Sequence, residues 1–390
     1  MFTHMEYRRN QMASRNTGNS RNRKTNPYEN FDRYNYVDRD IYSSSSGDQN
    51  QPMRRQPSGR ASQNSREISS GRGRRRRKSG VKKGFLSFLA VLLVVALVGG
   101  GAFLLLTSRM HYEPADTEQY TVLPDDAPAW DVISDKKIVN VLLIGADKNK
   151  DGTNGRSDTM MLMSIDTKNK KIRLVSFMRD IYVDIPTVGW ERLNAAFAYG
   201  GGALTMQTIE NYFRIDIDRY VQVDFDGFEE IIDKMGGIDV EISDYEAEFI
   251  NDKGAFDATA GVNHLDGEDA LFFARMRKLD SDFGRTGRQR QVVLAMIDTF
   301  KQQNVADMVS LAYAYLPLVT HNLSEGEILQ LAGVGAGLSK YDTETMQVPA
   351  DGTYWDEYAT INGMEGNMVL GVDFEANASQ LREFLYGETE

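Results

Sequence analysis

The segment "FARMRKLDSDFGRTGRQRQVV" (residues 273–293) gathers Arg275, Arg277, Lys278, Arg285, Arg288 and Arg290. Guanidinium groups this close repel one another unless an anion takes up the charge. Their forked donors match phosphate oxygens two at a time. The spacing in "TGRQRQVVLAMIDTFKQQ" predicts a helix, with Val292, Val293, Met296, Ile297 and Phe300 on its buried side. Arg285, Arg288 and Arg290 then sit at its first turn. Cations are unfavourable at that end, whereas its free N–H groups favour an anion. Arg285 shares a face with Arg288 and Gln289, three and four residues on, while Arg290 points elsewhere and reads as a surface residue. Arg275 and Arg277 project to one side if the chain is extended there. A second reading needs no ligand: Asp280 and Asp282 lie within the segment and can neutralise the arginines in local ion pairs.

Carboxylates supply the other half of a possible site. In "LLIGADKNKDGTNGRSDTMM", Asp147 follows one predicted strand and Asp158 precedes the next, with a hydrophilic loop between. That arrangement brings both to one sheet edge. One or two carboxylates completed by phosphate oxygens are a common magnesium arrangement. The structural alternative is an Asx-turn at Asp147 and a strand-start cap at Asp158. Arg179, in "SFMRDIYVDIP", follows a further strand, at the kind of strand end where open α/β sheets bind ligands. Together these residues point to transfer at a pyrophosphate. Metal and arginines would stabilise charge on the phosphate oxygens, and a carboxylate would help deprotonate an incoming hydroxyl.

Other chemistries are excluded or weakened. The chain has no cysteine, so disulfides, thiolate zinc sites and thiol catalysis are out. Its four histidines (His4, His111, His264 and His321) show no metal-ligand spacing. The glycine-rich "YGGGALT" (199–205) lacks both the P-loop and the dinucleotide pattern.

The elements that must position these residues read as mixed α/β. Strands are predicted in "KIVNVLLIGAD", "DTMMLMSID", "KIRLVSFMRD", "RYVQVDF", "GGIDVEI", "TMQVP" and "NMVLGVD". Helices are predicted in "LTMQTIENYFRI", "DGFEEIIDKMGG", "DGEDALFFARMR", "SEGEILQLAGV" and "NASQLREFLYG". The mixture implies a central mixed sheet covered by helices.

Charge divides the 390 residues into compartments. Residues 1–83 hold 20 Lys+Arg against 7 Asp+Glu, and residues 107–390 hold 25 against 49. Between them, "GFLSFLAVLLVVALVGGGAFLLL" (84–106) carries no charge. A helix of that length rises about 35 Å, enough for a hydrocarbon core of about 30 Å. The basic run before it predicts a cytoplasmic N-terminus and an external body. Residues 1–83, poor in aliphatics, are expected to be a disordered basic tail. Residues 107–135 read as a polar spacer, and 136–390 as the catalytic domain. An acidic body outside the cell is not expected to bind nucleic acid.

The motifs "IGAD…GRSDT", "SFMRDIYV", "RLNAAFAYGG" and "ALFFARMRKLDSDFGRTGRQRQ" run in one order over residues 137–303. In them the chain resembles the LytR-CpsA-Psr family of bacterial cell-envelope proteins. The resemblance implies an α/β/α sandwich with an apolar pocket for a polyprenyl chain. It implies a single-pass protein of a Gram-positive cell membrane, acting on polyprenyl-pyrophosphate-linked glycan and peptidoglycan. The implied activity moves a glycopolymer of teichoic acid or capsule type onto peptidoglycan. A polyprenyl-pyrophosphate hydrolase and a lipid-carrier-binding envelope regulator are the alternatives. The resemblance puts magnesium (or manganese) on Asp147 and Asp158, with Asp147 also catalytic. It assigns phosphate binding and catalysis to Arg179, Arg275, Arg277 and Arg285, and further phosphate contacts to Arg288, Gln289 and Arg156. Two positions depart from the family pattern: Met178 stands where proline is usual, and Asn149 where many members carry arginine.

Overall fold

The computed structural model describes residues 111–115, 120, 123–149, 152–217, 219–304, 307, 310–311, 314–335 and 337–387. The expected tail (1–83) and span (84–106) lie outside the described residues. Among the described residues, no helix is long and apolar enough to cross a membrane.

Seven strands form the main sheet. They are β1 (His111–Tyr112), β2 (Ile138–Lys148), β3 (Asn154–Asp166), β4 (Lys171–Phe177), β7 (Arg219–Val223), β10 (Thr320–His321) and β11 (Asp342–Val348), in the order β1-β10-β7-β2-β3-β4-β11. β2 is parallel to β7, and β4 to β11, while β3 runs against both β2 and β4. The C-terminal ends of β2, β4, β7 and β11 therefore share one edge with the start of β3. The central strands read as nearly continuous apolar runs because both faces are covered. Leu142, Ile144, Met160, Leu162, Val175 and Phe177 face one core, and their neighbours Val141, Met161 and Leu174 are equally buried.

Helix α1 (Ala195–Phe213) packs on β3 and β7, and α7 (Phe374–Tyr386) packs on α1. Their contact is aromatic: the Tyr212 and Phe374 rings are 4.2 Å apart. A second core lies among α2 (Phe225–Met235), α3 (Asp244–Lys253), α4 (Gly267–Arg275), α5 (Asp282–Lys301) and the hairpin β8–β9 (Ile238–Ile242, Gly261–Leu265). It is built on Ile232, Ile238, Val240, Ile250, Phe273 and Val292. The hairpins β5–β6 (Tyr182–Ile185, Gly189–Arg192) and β12–β13 (Tyr354–Ile361, Met364–Val372), together with α6 (Glu325–Gly335), complete the set.

Several expectations shift. The glycine run expected to precede a helix lies inside α1, which begins at Ala195 and kinks at Gly200 and Gly201. Gly202 meets the ring of Tyr220, where a Cβ would stand 2.6 Å from ring carbons. Helix α5 starts earlier than predicted, at Asp282, with the Ser281 hydroxyl accepting from Gly284 N–H. On α5, Val292 and Ala295 are buried, whereas Val293, Met296, Ile297 and Phe300 are half-buried. Arg290 is half-buried too, donating to Gln347 of β11 at 3.2 Å, rather than lying on the surface.

The described part of 107–135 is packed rather than spacer-like. β1 pairs with β10, Tyr120, Ala127 and Ile133 lie against the main core, and Tyr212 donates to Asp126 at 3.0 Å. His264 is bonded to Asp239 at 2.7 Å and to the Gly236 carbonyl at 2.9 Å, and His321 is buried.

Gly202→Ala should destabilise the full chain by about 1–3 kcal/mol, read by chemical denaturation, because Tyr220 backs onto the sheet and cannot retreat. The bonds from His264 to Asp239 and Gly236 raise the histidine pKa above 6.5. The stability this adds to β8–β9 is fully present below the unfolded value and is lost as pH rises through the folded one. Asp239→Asn should bring the NMR titration midpoint of His264 back down towards 6.5.

Candidate active site

The shared edge of β2, β3 and β4 carries the candidate residues. Arg179 follows β4 and is fixed by its backbone. Met178 N–H bonds the Val348 carbonyl at 2.8 Å, Asn194 N–H bonds the Arg179 carbonyl at 3.2 Å, and Leu370 N–H bonds the Asp180 carbonyl at 2.8 Å. The turn is thereby stitched to three separate segments, which aims the Arg179 side chain across the strand edge.

Three carboxylates meet that guanidinium. Its Nη1 is 3.2 Å from Asp158, and its Nε is 3.0 Å from Asp282 and 3.5 Å from Asp180. Burial alone would weaken its charge, but Asp282, Asp180 and Asp158 outweigh burial and raise its pKa. Asp282 is shared: both its oxygens also meet Arg285, at 2.8 Å each. Arg285 is 4% exposed, and its Nε has no hydrogen-bond partner. Burial pulls its pKa down to about 10; Asp282 counters this, while Arg179 and Arg277 add to it. It remains charged at neutral pH. Arg277, at the rim, reaches the same Asp158 oxygen at 3.6 Å. Asp180 is held above the usual carboxylate range by burial, against the pull of Arg179. Its other oxygen is 3.4 Å from Arg192 of β6.

Asp158 lies inside β3 and Asp147 inside β2, not on a long loop between strands. The pairing of Ala146 with Ser157 puts the two positions diagonally across the strand pair, near the same edge. The Asp147 side chain lies outside the described residues.

The remaining predicted arginines have other contacts. Arg275 ends α4 rather than lying in extended chain, and its guanidinium stands 3.9 Å from the centroid of Phe225. Arg156 pairs with the buried Glu191 at 3.1 Å. Arg288, 3% exposed, places its fork on Asp280 at 2.7 and 3.0 Å and on the Met276 carbonyl at 2.9 Å. It thereby pins the loop between α4 and α5. Gly284 is required there, because an added Cβ would meet the Asp280 carboxylate at 2.0 Å. Gln289 is buried on the same helix. Local neutralisation by Asp280 and Asp282 and assembly of a cationic cluster are thus both present. Asp180, Asp282 and Arg192 complete the cluster; the sequence offered Asp282 only as a local neutraliser of the arginines.

Two surface cavities, of about 780 and 500 Å³, lie elsewhere. The first is lined by Trp130, Asp131, Arg382 and Glu383, among others, and the second by Glu210, Asp216, Arg219 and Glu327, among others. Such charged linings do not suit a prenyl chain.

Comparison with known proteins places the chain in a family. The LytR_cpsA_psr family profile matches residues 107–372. The polyisoprenyl-teichoic acid–peptidoglycan teichoic acid transferase TagU of Halalkalibacterium halodurans is 33% identical over 288 residues, covering 70% of this chain and 90% of TagU. TagV of Bacillus subtilis, which bears the same transferase description, is 36% identical over 228 residues, and this chain spans 58% of its length. The crystal structure of B. subtilis TagV superposes with a TM-score of 0.52 at 33% identity, covering 66% of this chain and all of that one. TagT bound to LIIa-WTA superposes with a TM-score of 0.52 at 30% identity, covering 64% and 90%. With a family profile matching residues 107–372, a relative 33% identical over 70% of the chain and a superposable fold, the chain belongs to the LytR_cpsA_psr family.

Proposed function

We propose that the protein is a membrane-anchored transferase that moves a teichoic-acid-type glycopolymer from a polyprenyl-pyrophosphate carrier onto peptidoglycan. The observation that carries this reading is the convergence of Arg179, Arg277 and Arg285 on Asp158 and Asp282 at one sheet edge. The transferase descriptions of TagU and TagV support it. In the reaction, an acceptor hydroxyl forms a new P–O bond to the glycan-linked phosphorus. The anhydride bond to polyprenyl phosphate breaks, and the hydroxyl proton passes to a base.

The chain's own residues hold the diphosphate. Arg179 and Arg277 exchange Asp158 for phosphate oxygens when substrate enters. Arg285 stays clamped on Asp282, so its charge is in place before the reaction and needs no reorganisation. The cluster balances four arginines, counting Arg192, against Asp158, Asp180 and Asp282, so a diphosphate meets a preformed but locally compensated field.

Magnesium suits these residues. The donor set at the edge is oxygen-only, as this hard ion prefers, and Asp158 with the neighbouring position of Asp147 would hold it. When bound, it supplies charge neutralisation at the phosphate oxygens. The apolar segment 84–106 supplies the anchor, and the body would then lie outside the cell.

Arg179→Ala should lower transfer to peptidoglycan by at least about 100-fold, as loss of one oxyanion donor does elsewhere. Asp282→Asn should lower it as well, through both arginines. Radiolabelled donor and peptidoglycan oligomers measure both effects; an unchanged rate in either variant removes the site from the reaction. Chelation of divalent ions should abolish transfer and added magnesium should restore it. Asp158→Asn should raise the magnesium concentration needed for half-maximal rate.

A further inference from the structure

The hairpin β5–β6 touches the arginine cluster through Arg192 and, on the same side, leaves Trp190 exposed. Tyr182 pairs with Arg192 and Asp184 with Trp190, so these four side chains share one side of the hairpin. Val183, Ile185 and Glu191 point the other way and are buried. On the open side, Trp190 is 44% exposed and lies against Tyr182, with ring centroids 4.9 Å apart and planes inclined at 38°. Tyr182 is backed in turn by Ala359, Ile361 and Val369 of β12–β13. The indole is thus held in place by a braced neighbour while much of its surface stays in water.

The same face leads directly into the site. Arg192, about 7 Å along the strand from Trp190, reaches Asp180 at 3.4 Å, and the other oxygen of Asp180 is 3.5 Å from Arg179. We propose that Trp190, braced by Tyr182 and flanked by Asp184, is the platform on which the acceptor glycan strand of peptidoglycan lays a pyranose ring; this rests on the transfer reaction proposed above. A pyranose has an apolar C–H face and a rim of hydroxyls. An aromatic ring takes the face, and a carboxylate accepts from the rim. Charge selects the acceptor over the donor polymer. A teichoic-acid chain carries a phosphate in each repeat and is repelled by Asp184, beside which Asp125 adds a second negative charge. The sugar rings of a glycan strand carry no phosphate and offer hydroxyls and amides instead.

The test uses the full-length protein, a polyprenyl-pyrophosphate-linked glycan donor and un-cross-linked peptidoglycan glycan strands. Trp190→Ala should raise the acceptor KM about tenfold, the size of one lost ring contact, with kcat and the donor KM little changed. Trp190→Phe should recover most of the acceptor KM. The same strands, titrated without donor, should quench the tryptophan fluorescence of the wild type and not that of Trp190→Phe. An acceptor KM in Trp190→Ala equal to that of the wild type overturns the platform. If the wild type transfers nothing yet the strands still quench Trp190, the platform stands and the transfer reaction falls. If the strands bind wild type and Trp190→Ala equally well, the platform fails whatever the reaction.

Discussion

Two neighbouring guanidinium groups move apart unless a negative charge stands between them, and in this protein Asp282 is that charge. It meets Arg285 through both oxygens and Arg179 through the same pair, so one carboxylate fixes the spacing of two cations. The arrangement is possible only because the α5 N-terminus is brought against the turn after β4. That in turn requires Ser281 to cap the helix and Arg288 to hold the preceding loop through Asp280. Loss of one partner from such a set leaves an uncompensated buried charge, which is costlier than the pair itself is favourable. The arginine-rich segment thus divides its labour: Arg288 builds the loop, and Arg277 and Arg285 face the open edge.

Much of this division was hidden in the sequence. Arg179, Arg277, Arg285 and Asp158 are all named by the motifs, and the edge on which they meet follows from strand order. Nothing in the spacing distinguishes Arg285 from Arg288, because both lie on one helical face. The difference is whether the nearest carboxylate belongs to the loop or also serves another strand. Arg275 was paired with Arg277 on an assumption of extended chain. The helix instead runs through Arg275 and ends there, sending that side chain to Phe225. Asp180 could not be singled out from sequence, since its role depends on Arg192, a residue from a hairpin that carries no strong strand signal.

For the fold, long apolar runs such as β2 and β4 were readable because burial on both faces leaves a continuous pattern. Short or partly polar elements were not. β12 carries two adjacent acids between aromatic residues and forms only against β13, and β1 has two residues and forms only against β10. Such pairings are decided by partners far away in the chain, which local propensity does not record.

The pairing of β1 has a geometric consequence. Only residues 107–110 separate the apolar segment from His111, and four extended residues span at most about 14 Å. In the proposed membrane-anchored protein, a tether that short keeps His111 within about 14 Å of the outer end of the anchor. The prenyl carrier is confined to the same plane by its own tail. In the proposed reaction, enzyme and prenyl-linked donor then search for one another in two dimensions, and the glycan strand is the partner left to arrive from outside the membrane.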